Sequence, residues 1–252
     1  MTAPRFLDTP QGRRIAYHRT DGTAPGVVFL GGFRSDMEGT KALHLEDRTR
    51  RAGHAFLRLD YSGHGASSGA FEEGCIGDWA ADAMVAIAAL TDGPQILVGS
   101  SMGGWIALLA ARAMPARVAG LVGVAAAPDF TEDGLWADFS VTEREALMRD
   151  GRVERSSPYS EAADVYTRRL IADGRERLVL RTPLALPFPV RLLQGTADAE
   201  VPVATALALT QHAECDDLRL TLVKDADHRF STPDCLALIE AAIAEVRARA
   251  AG

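Results

Sequence analysis

The stretch Gln95-Ile96-Leu97-Val98-Gly99-Ser100-Ser101-Met102-Gly103-Gly104-Trp105 constrains this chain more than any other. An apolar run enters a Gly-x-Ser-x-Gly turn, and an apolar, alanine-rich run containing Ile106, Leu108 and Leu109 leaves it. A buried strand that turns this sharply into a helix leaves no room for side chains at Gly99 and Gly103. The turn lifts the Ser101 hydroxyl clear of the sheet and sets the Met102 amide at a helix N-terminus, where negative charge is stabilised. Such a turn needs a buried, parallel strand behind it, so it predicts an α/β fold.

The rest of the chain fits that expectation. Arg5–Leu7 and Arg14–His18 flank Thr9-Pro10-Gln11-Gly12 and predict an N-terminal hairpin. Val27–Leu30 is a predicted buried strand ending at Gly31-Gly32, and a helix is expected from about Gly39 to Ala52. His54–Leu59 is a strand, and Ile76, Trp79, Ala83, Ile87 and Leu90 recur at helical spacing, predicting a helix over Glu72–Leu90. Further strands are expected at Val118–Val124, Val190–Gln194 and Leu218–Val223, and Thr232-Pro233 opens a last helix. Strands alternating with helices predict a mostly parallel, doubly wound sheet. The rhythm lapses at 128–189, which predicts a small helical cap inserted after the sixth strand within a single domain of 252 residues.

Several function classes are disfavoured. A net charge of −7 without a basic block argues against nucleic acid and anionic membranes as partners. No apolar stretch reaches the roughly 18 residues of a membrane span, so no membrane insertion is expected. Cys75, Cys215 and Cys235 are widely spaced, which argues for reduced thiols and against a zinc site. Met1–Asp8 has no apolar leader, so a cytoplasmic location is expected. No metal and no cofactor is expected, because no His/Cys/Asp cluster has ligand spacing.

A serine hydroxyl becomes a nucleophile only beside a base, and the base is held in one tautomer by an acid. On a nucleophile elbow the chain order is serine, acid, histidine, each at a strand's C-terminal end. Asp198, just past Val190–Gln194, is the candidate acid, and His228, just past Leu218–Val223, is the candidate base. Of the other histidines, His18, His44 and His54 precede the elbow, and His212 ends a helix where a dipole rationale suffices. His64 follows a strand end and could line the pocket. Among rival acids, Asp225 and Asp227 lie too near His228 in sequence to orient it from a separate loop, which leaves Glu200. The Met102 amide is one oxyanion donor, and the Phe33 amide in Gly31-Gly32-Phe33-Arg34 is the second, with Gly32 leaving room for close approach.

With these residues placed, the chain resembles the α/β-hydrolase superfamily. More narrowly it resembles the alpha/beta-hydrolase domain-containing 10 type, serine hydrolases described as acyl-protein thioesterases and acyl-glucuronide esterases. The resemblance runs through Gly31-Gly32-Phe33-Arg34-Ser35-Asp36-Met37-Glu38-Gly39-Thr40-Lys41-Ala42, Asp60-Tyr61-Ser62-Gly63 and the elbow. It continues in Pro158-Tyr159-Ser160-Glu161, Arg191-Leu192-Leu193-Gln194-Gly195, Val201-Pro202 and Asp227-His228-Arg229. It implies a triad of Ser101, Asp198 and His228. Many members carry His-Gly before the oxyanion loop and before the acid, where this chain has Leu30-Gly31 and Gln194-Gly195.

The expected function is hydrolysis of a carboxylic ester or thioester through an acyl-Ser101 intermediate, on a small-molecule or acyl-protein substrate. Gly32, Arg34, Trp136 and Tyr159 are expected on the substrate side, and an apolar cap suggests an acyl chain or aromatic acid. The alternatives are acyl transfer or C–C hydrolysis on the same triad, and a silent fold used for binding.

Overall fold

The computed structural model describes residues 3–156 and 163–250. Strands β1 (Arg5–Asp8), β2 (Arg14–Thr20), β3 (Thr23–Leu30), β4 (His54–Leu59), β5 (Gln95–Ser100) and β6 (Val118–Val124) precede a cap. The cap's strands β7 (Arg152–Arg155) and β8 (Asp164–Thr167) pair only with each other, and β9 (Val190–Gly195) and β10 (Leu218–Val223) complete the main sheet. That sheet runs β1-β2-β4-β3-β5-β6-β9-β10. β1–β2 and β2–β4 are antiparallel and the other pairs parallel, as alternating strands and helices require.

The central strands are apolar on both sides because helices cover both faces. Val28, Leu30 and Leu97 pack on Trp79 and Ile87 of α2 (Ile76–Leu90) and on Trp105 and Leu108 of α3 (Met102–Ala113). The alternate residues Val27, Phe29, Ile96 and Val98 pack on Leu45, from a helix (α1) over Thr40–Arg51, and on Ile239, Ile243 and Val246 of the C-terminal helix Pro233–Ala250. Successive side chains of a strand point to opposite faces, so each core takes every second residue.

The helix expected over Glu72–Leu90 begins later, at Ile76. Phe71–Glu73 forms a separate 3-10 turn, and Gly74 is extended between the two. A Cβ on Gly74 would lie 2.6 Å from Trp79 Nε1, so the chain bends where only glycine clears the indole. Between β6 and β9 the sequence predicts short helices, and the structure adds a hairpin. A π-helical turn at Thr131–Trp136 leads to α4 (Val141–Asp150), then β7, β8 and α5 (Arg168–Arg175). α4 is set by a capping box, with Ser140 Oγ accepting from Glu143 N at 3.2 Å and Ser140 N donating to Glu143 Oε2 at 2.7 Å. Buried Asp129 ties the two stems of this region together, accepting from Val179 N (2.8 Å), Leu180 N (3.0 Å) and Arg181 Nη1 (2.9 Å). Among the described residues, no helix is long and apolar enough to cross a membrane.

Candidate active site

The site forms where β3 and β5 end side by side. Ser101 has φ 55° and ψ −121°, a left-handed conformation forced by the turn. A Cβ at Gly99 would lie 2.4 Å from Gly103 O, and one at Gly103 would lie 2.0 Å from Leu30 O. Both positions therefore demand glycine for backbone to pass backbone. The elbow is pinned to β6 by Ser101 N donating to Val124 O at 3.0 Å.

Three loops bring the predicted triad together. His228 Nε2 lies 3.1 Å from Ser101 Oγ, and His228 Nδ1 lies 2.9 Å from Asp198 Oδ2 and 3.1 Å from Oδ1. The Asp198 side chain is fully buried, and that of His228 is 16% exposed. Burial pushes the Asp198 carboxyl up. Hydrogen bonds from His228 and from the Val201 and Glu200 amides outweigh that and hold it below the usual carboxylate range. An ionised Asp198 keeps the ring proton on Nδ1 and leaves the Nε2 lone pair for the Ser101 hydroxyl.

The supporting contacts are only partly readable from the sequence. Gln194 is buried and donates from Nε2 to Asp198 Oδ2 (3.0 Å) and to Val201 O (2.9 Å). The acid and base loops are stitched by Ala197 N to Ala226 O (3.0 Å) and by Asp225 N to Thr196 Oγ1 (2.9 Å). Lys41 Nζ, from α1, donates to Arg229 O beside the base. This lysine stands in the Gly39-Thr40-Lys41-Ala42 segment through which the family resemblance runs.

The rival acid Glu200 does not sit where an orienting acid must. Its Oε2 lies 3.3 Å from His228 Nε2, on the working side of the ring and away from Nδ1.

The loop after β3 passes directly over the serine, since a Cβ on Gly32 would touch Ser101 Cβ at 3.4 Å. Gly32 O accepts from Ser35 Oγ at 2.7 Å, and Gly31 O accepts from Tyr61 OH at 3.2 Å, so the loop is fixed before any substrate arrives. Among the described residues, neither the Phe33 nor the Met102 amide donates to a backbone or side-chain acceptor. The Phe33 ring lies among Phe71, Trp79, Phe130 and Tyr166, with centroids 4.8, 5.9, 5.7 and 6.0 Å away. Arg34, also at positive φ (58°), pairs through Nε with Asp164 Oδ1 of β8 at 3.1 Å and lies over the Phe71 ring.

Other expected substrate residues lie elsewhere. Trp136 packs with Phe139, Leu147 and Ile171 and lines a cap pocket of about 390 Å³ that contains none of Ser101, Asp198 or His228. The reason is in the chain: the apolar face of α5 and the end of α4 cover the indole, and Arg175 stacks on it at 4.4 Å. Tyr159 lies outside the described residues. His64 is buried among Tyr61, Phe71 and Trp79 instead of lining a pocket, with Nδ1 3.2 Å from Ser62 O. Burial lowers its pKa. Among the described residues, no group of histidine, cysteine and carboxylate side chains could hold a metal ion.

Comparison with known proteins shows the family of the chain. The model of the "Alpha/beta hydrolase family" matches residues 27–247. The bovine (Bos taurus) protein named palmitoyl-protein thioesterase ABHD10, mitochondrial, is 40% identical over 235 residues, covering 91% of this chain and 75% of that one. The human (Homo sapiens) protein of the same name is 39% identical over 231 residues with the same coverage. The solved structure of alpha/beta hydrolase domain-containing protein 10 from mouse superposes with a TM-score of 0.91 at 32% identity, covering 98% of this chain and 99% of that one. A match that spans both the elbow and the acid and base loops makes this chain a member of the alpha/beta hydrolase family.

Proposed function

We propose that Ser101, His228 and Asp198 carry out the ester or thioester hydrolysis to which the family and the thioesterase relatives point. The observation that carries the assignment is the unbroken relay Ser101 Oγ, His228 Nε2, His228 Nδ1, Asp198 Oδ2, with successive contacts of 3.1 and 2.9 Å. In the first step Nε2 takes the Ser101 proton as Oγ attacks the acyl carbon. The Met102 and Phe33 amides, which have no acceptor among the described residues, receive the oxyanion. The tetrahedral adduct collapses as His228 returns the proton to the departing oxygen or sulfur, leaving acyl-Ser101. Water then attacks with His228 again taking a proton, and the carboxylic acid leaves as Ser101 regains its hydrogen.

The substrate is a small-molecule or acyl-protein ester or thioester. The ring cluster around Phe33 supports an apolar acyl group beside the oxyanion loop, and the segment between β6 and β9 acts as its lid. Three unpaired cysteines support a reducing compartment such as the cytoplasm, while the relatives' names place those proteins in mitochondria. Peptide mapping after treatment with a fluorophosphonate tests the nucleophile. One stoichiometric adduct is expected on Ser101 and none in Ser101→Ala, and an unmodified Ser101 in native protein would overturn the assignment.

A further inference from the structure

Two groups share the working nitrogen of the base. His228 Nε2 faces Ser101 Oγ at 3.1 Å and the Glu200 carboxylate at 3.3 Å. Glu200 is held there from its own backbone, because its amide donates to Asp198 Oδ1 at 2.9 Å. Its side chain is 38% exposed, so it meets both the base and solvent. In a serine hydrolase, Nε2 must hand its proton to the leaving atom, which therefore passes within hydrogen-bond reach of it. Any leaving alcohol or thiol thus departs alongside Glu200. Other charges around His228 include Asp198, enclosed on the far nitrogen, Asp227 and Arg229, which flank it in the chain, and Lys41, whose Nζ donates to Arg229 O.

We propose that Glu200 selects the charge of the leaving group, favouring cationic and disfavouring anionic alcohols and thiols. This rests on the hydrolase reading of the Ser101 site. A charge carried two or three bonds beyond the leaving atom lies about 6 Å from the carboxylate in nearly aqueous surroundings, where each sign alters the rate by about threefold. Opposite charges are then separated by about tenfold.

The test uses three thioesters with one acyl group. These are S-butyryl thiocholine (cationic thiol), S-butyryl-N-acetylcysteamine (neutral) and S-butyryl 2-mercaptoethanesulfonate (anionic), assayed with the full chain by released thiol. The ratio of kcat/KM for the cationic over the anionic substrate is expected to be about tenfold higher in the wild type than in Glu200→Gln, which cancels intrinsic leaving-group reactivity. Raising the salt towards 1 M should narrow the wild-type ratio and leave that of the variant in place. A ratio equal in the two enzymes, with brisk turnover in both, overturns the role of Glu200 and leaves the hydrolase reading standing. Failure of the wild type on all three thioesters and on matching oxygen esters overturns both.

Discussion

Replacing Asp198 by asparagine removes one charge and changes almost no volume, and the surroundings dictate which way the new amide must lie. Oδ1 accepts from two backbone amides, Val201 N at 2.8 Å and Glu200 N at 2.9 Å, which cannot turn away. Oδ2 accepts from Gln194 Nε2 at 3.0 Å, a side chain that can. The NH2 of the introduced side chain therefore takes the Oδ2 position, 2.9 Å from His228 Nδ1. A donor there obliges Nδ1 to accept, which moves the ring proton to Nε2 and points an N–H at Ser101 Oγ. The base is lost although every atom is near its original place. The same tautomer fault in another triad costs roughly four orders of magnitude, equivalent to about 5.5 kcal/mol of transition-state stabilisation. We expect kcat/KM on a neutral aryl ester to fall by about 10⁴ in Asp198→Asn, and the rate of fluorophosphonate labelling at Ser101 to fall with it. Glu200→Gln should retain measurable turnover on the same ester. Asp198→Asn activity above about a tenth of wild type would refute the tautomer argument.

Other perturbations have equally direct readouts. Gly103→Ala puts a Cβ 2.0 Å from the Leu30 carbonyl, fixed in β3, and should lower stability by at least about 2 kcal/mol, several degrees in a thermal melt. Lys41→Met removes the donor that holds Arg229 O and should lower kcat about tenfold with a smaller effect on melting; an unchanged kcat would separate Lys41 from the base loop. The Cys75 thiol, pushed up to about 12 chiefly by burial, should resist iodoacetamide at pH 8 in folded protein, as peptide mapping would show. Asp198 titrates below the usual range when folded, so its contribution to stability is fully present above about pH 4 and fades as pH falls through the lowered value. The stability gap between wild type and Asp198→Asn in urea should accordingly narrow from pH 6 towards pH 3, and a gap that widens would contradict the sign.

The main sheet was legible because its central strands are buried on both faces and announce themselves as apolar runs, while the edge strand Leu218–Val223 alternates. His54–Leu59, Val118–Val124 and Leu218–Val223 have the bounds that the sequence predicts, and turn or helix-start residues flank each of them. The hairpin β7–β8 gave no such signal. Arg152–Arg155 and Asp164–Thr167 are four residues each, with Val153 the one buried side chain, and that leaves neither a run nor an alternation to detect. The early start that spacing predicts for the helix over Glu72–Leu90 has a different cause. Helical spacing of Ile76, Trp79 and Ala83 says which face is buried, but the break at Gly74 is imposed by an indole five residues ahead, a contact with no period.

The residues proposed as catalytic were readable for a related reason: each sits at a strand's C-terminal end, so chain order and topology converge on it. The order of residues favoured Asp198 as the acid and left Glu200, a second carboxylate on the same loop, as its rival. Folding separates them by nitrogen. Asp198 turns inward, where Gln194 and two amides surround it and burial makes its charge an orienting one for Nδ1. Glu200 turns outward and meets Nε2 beside the serine. A carboxylate on Nδ1 sets the tautomer and is required for every substrate. One on Nε2 meets only what approaches the base, so its effect depends on the charge that each substrate brings. On the roles proposed, similar residues two positions apart serve catalysis and selectivity separately, and the backbone amide of Glu200 donates to the carboxylate of Asp198.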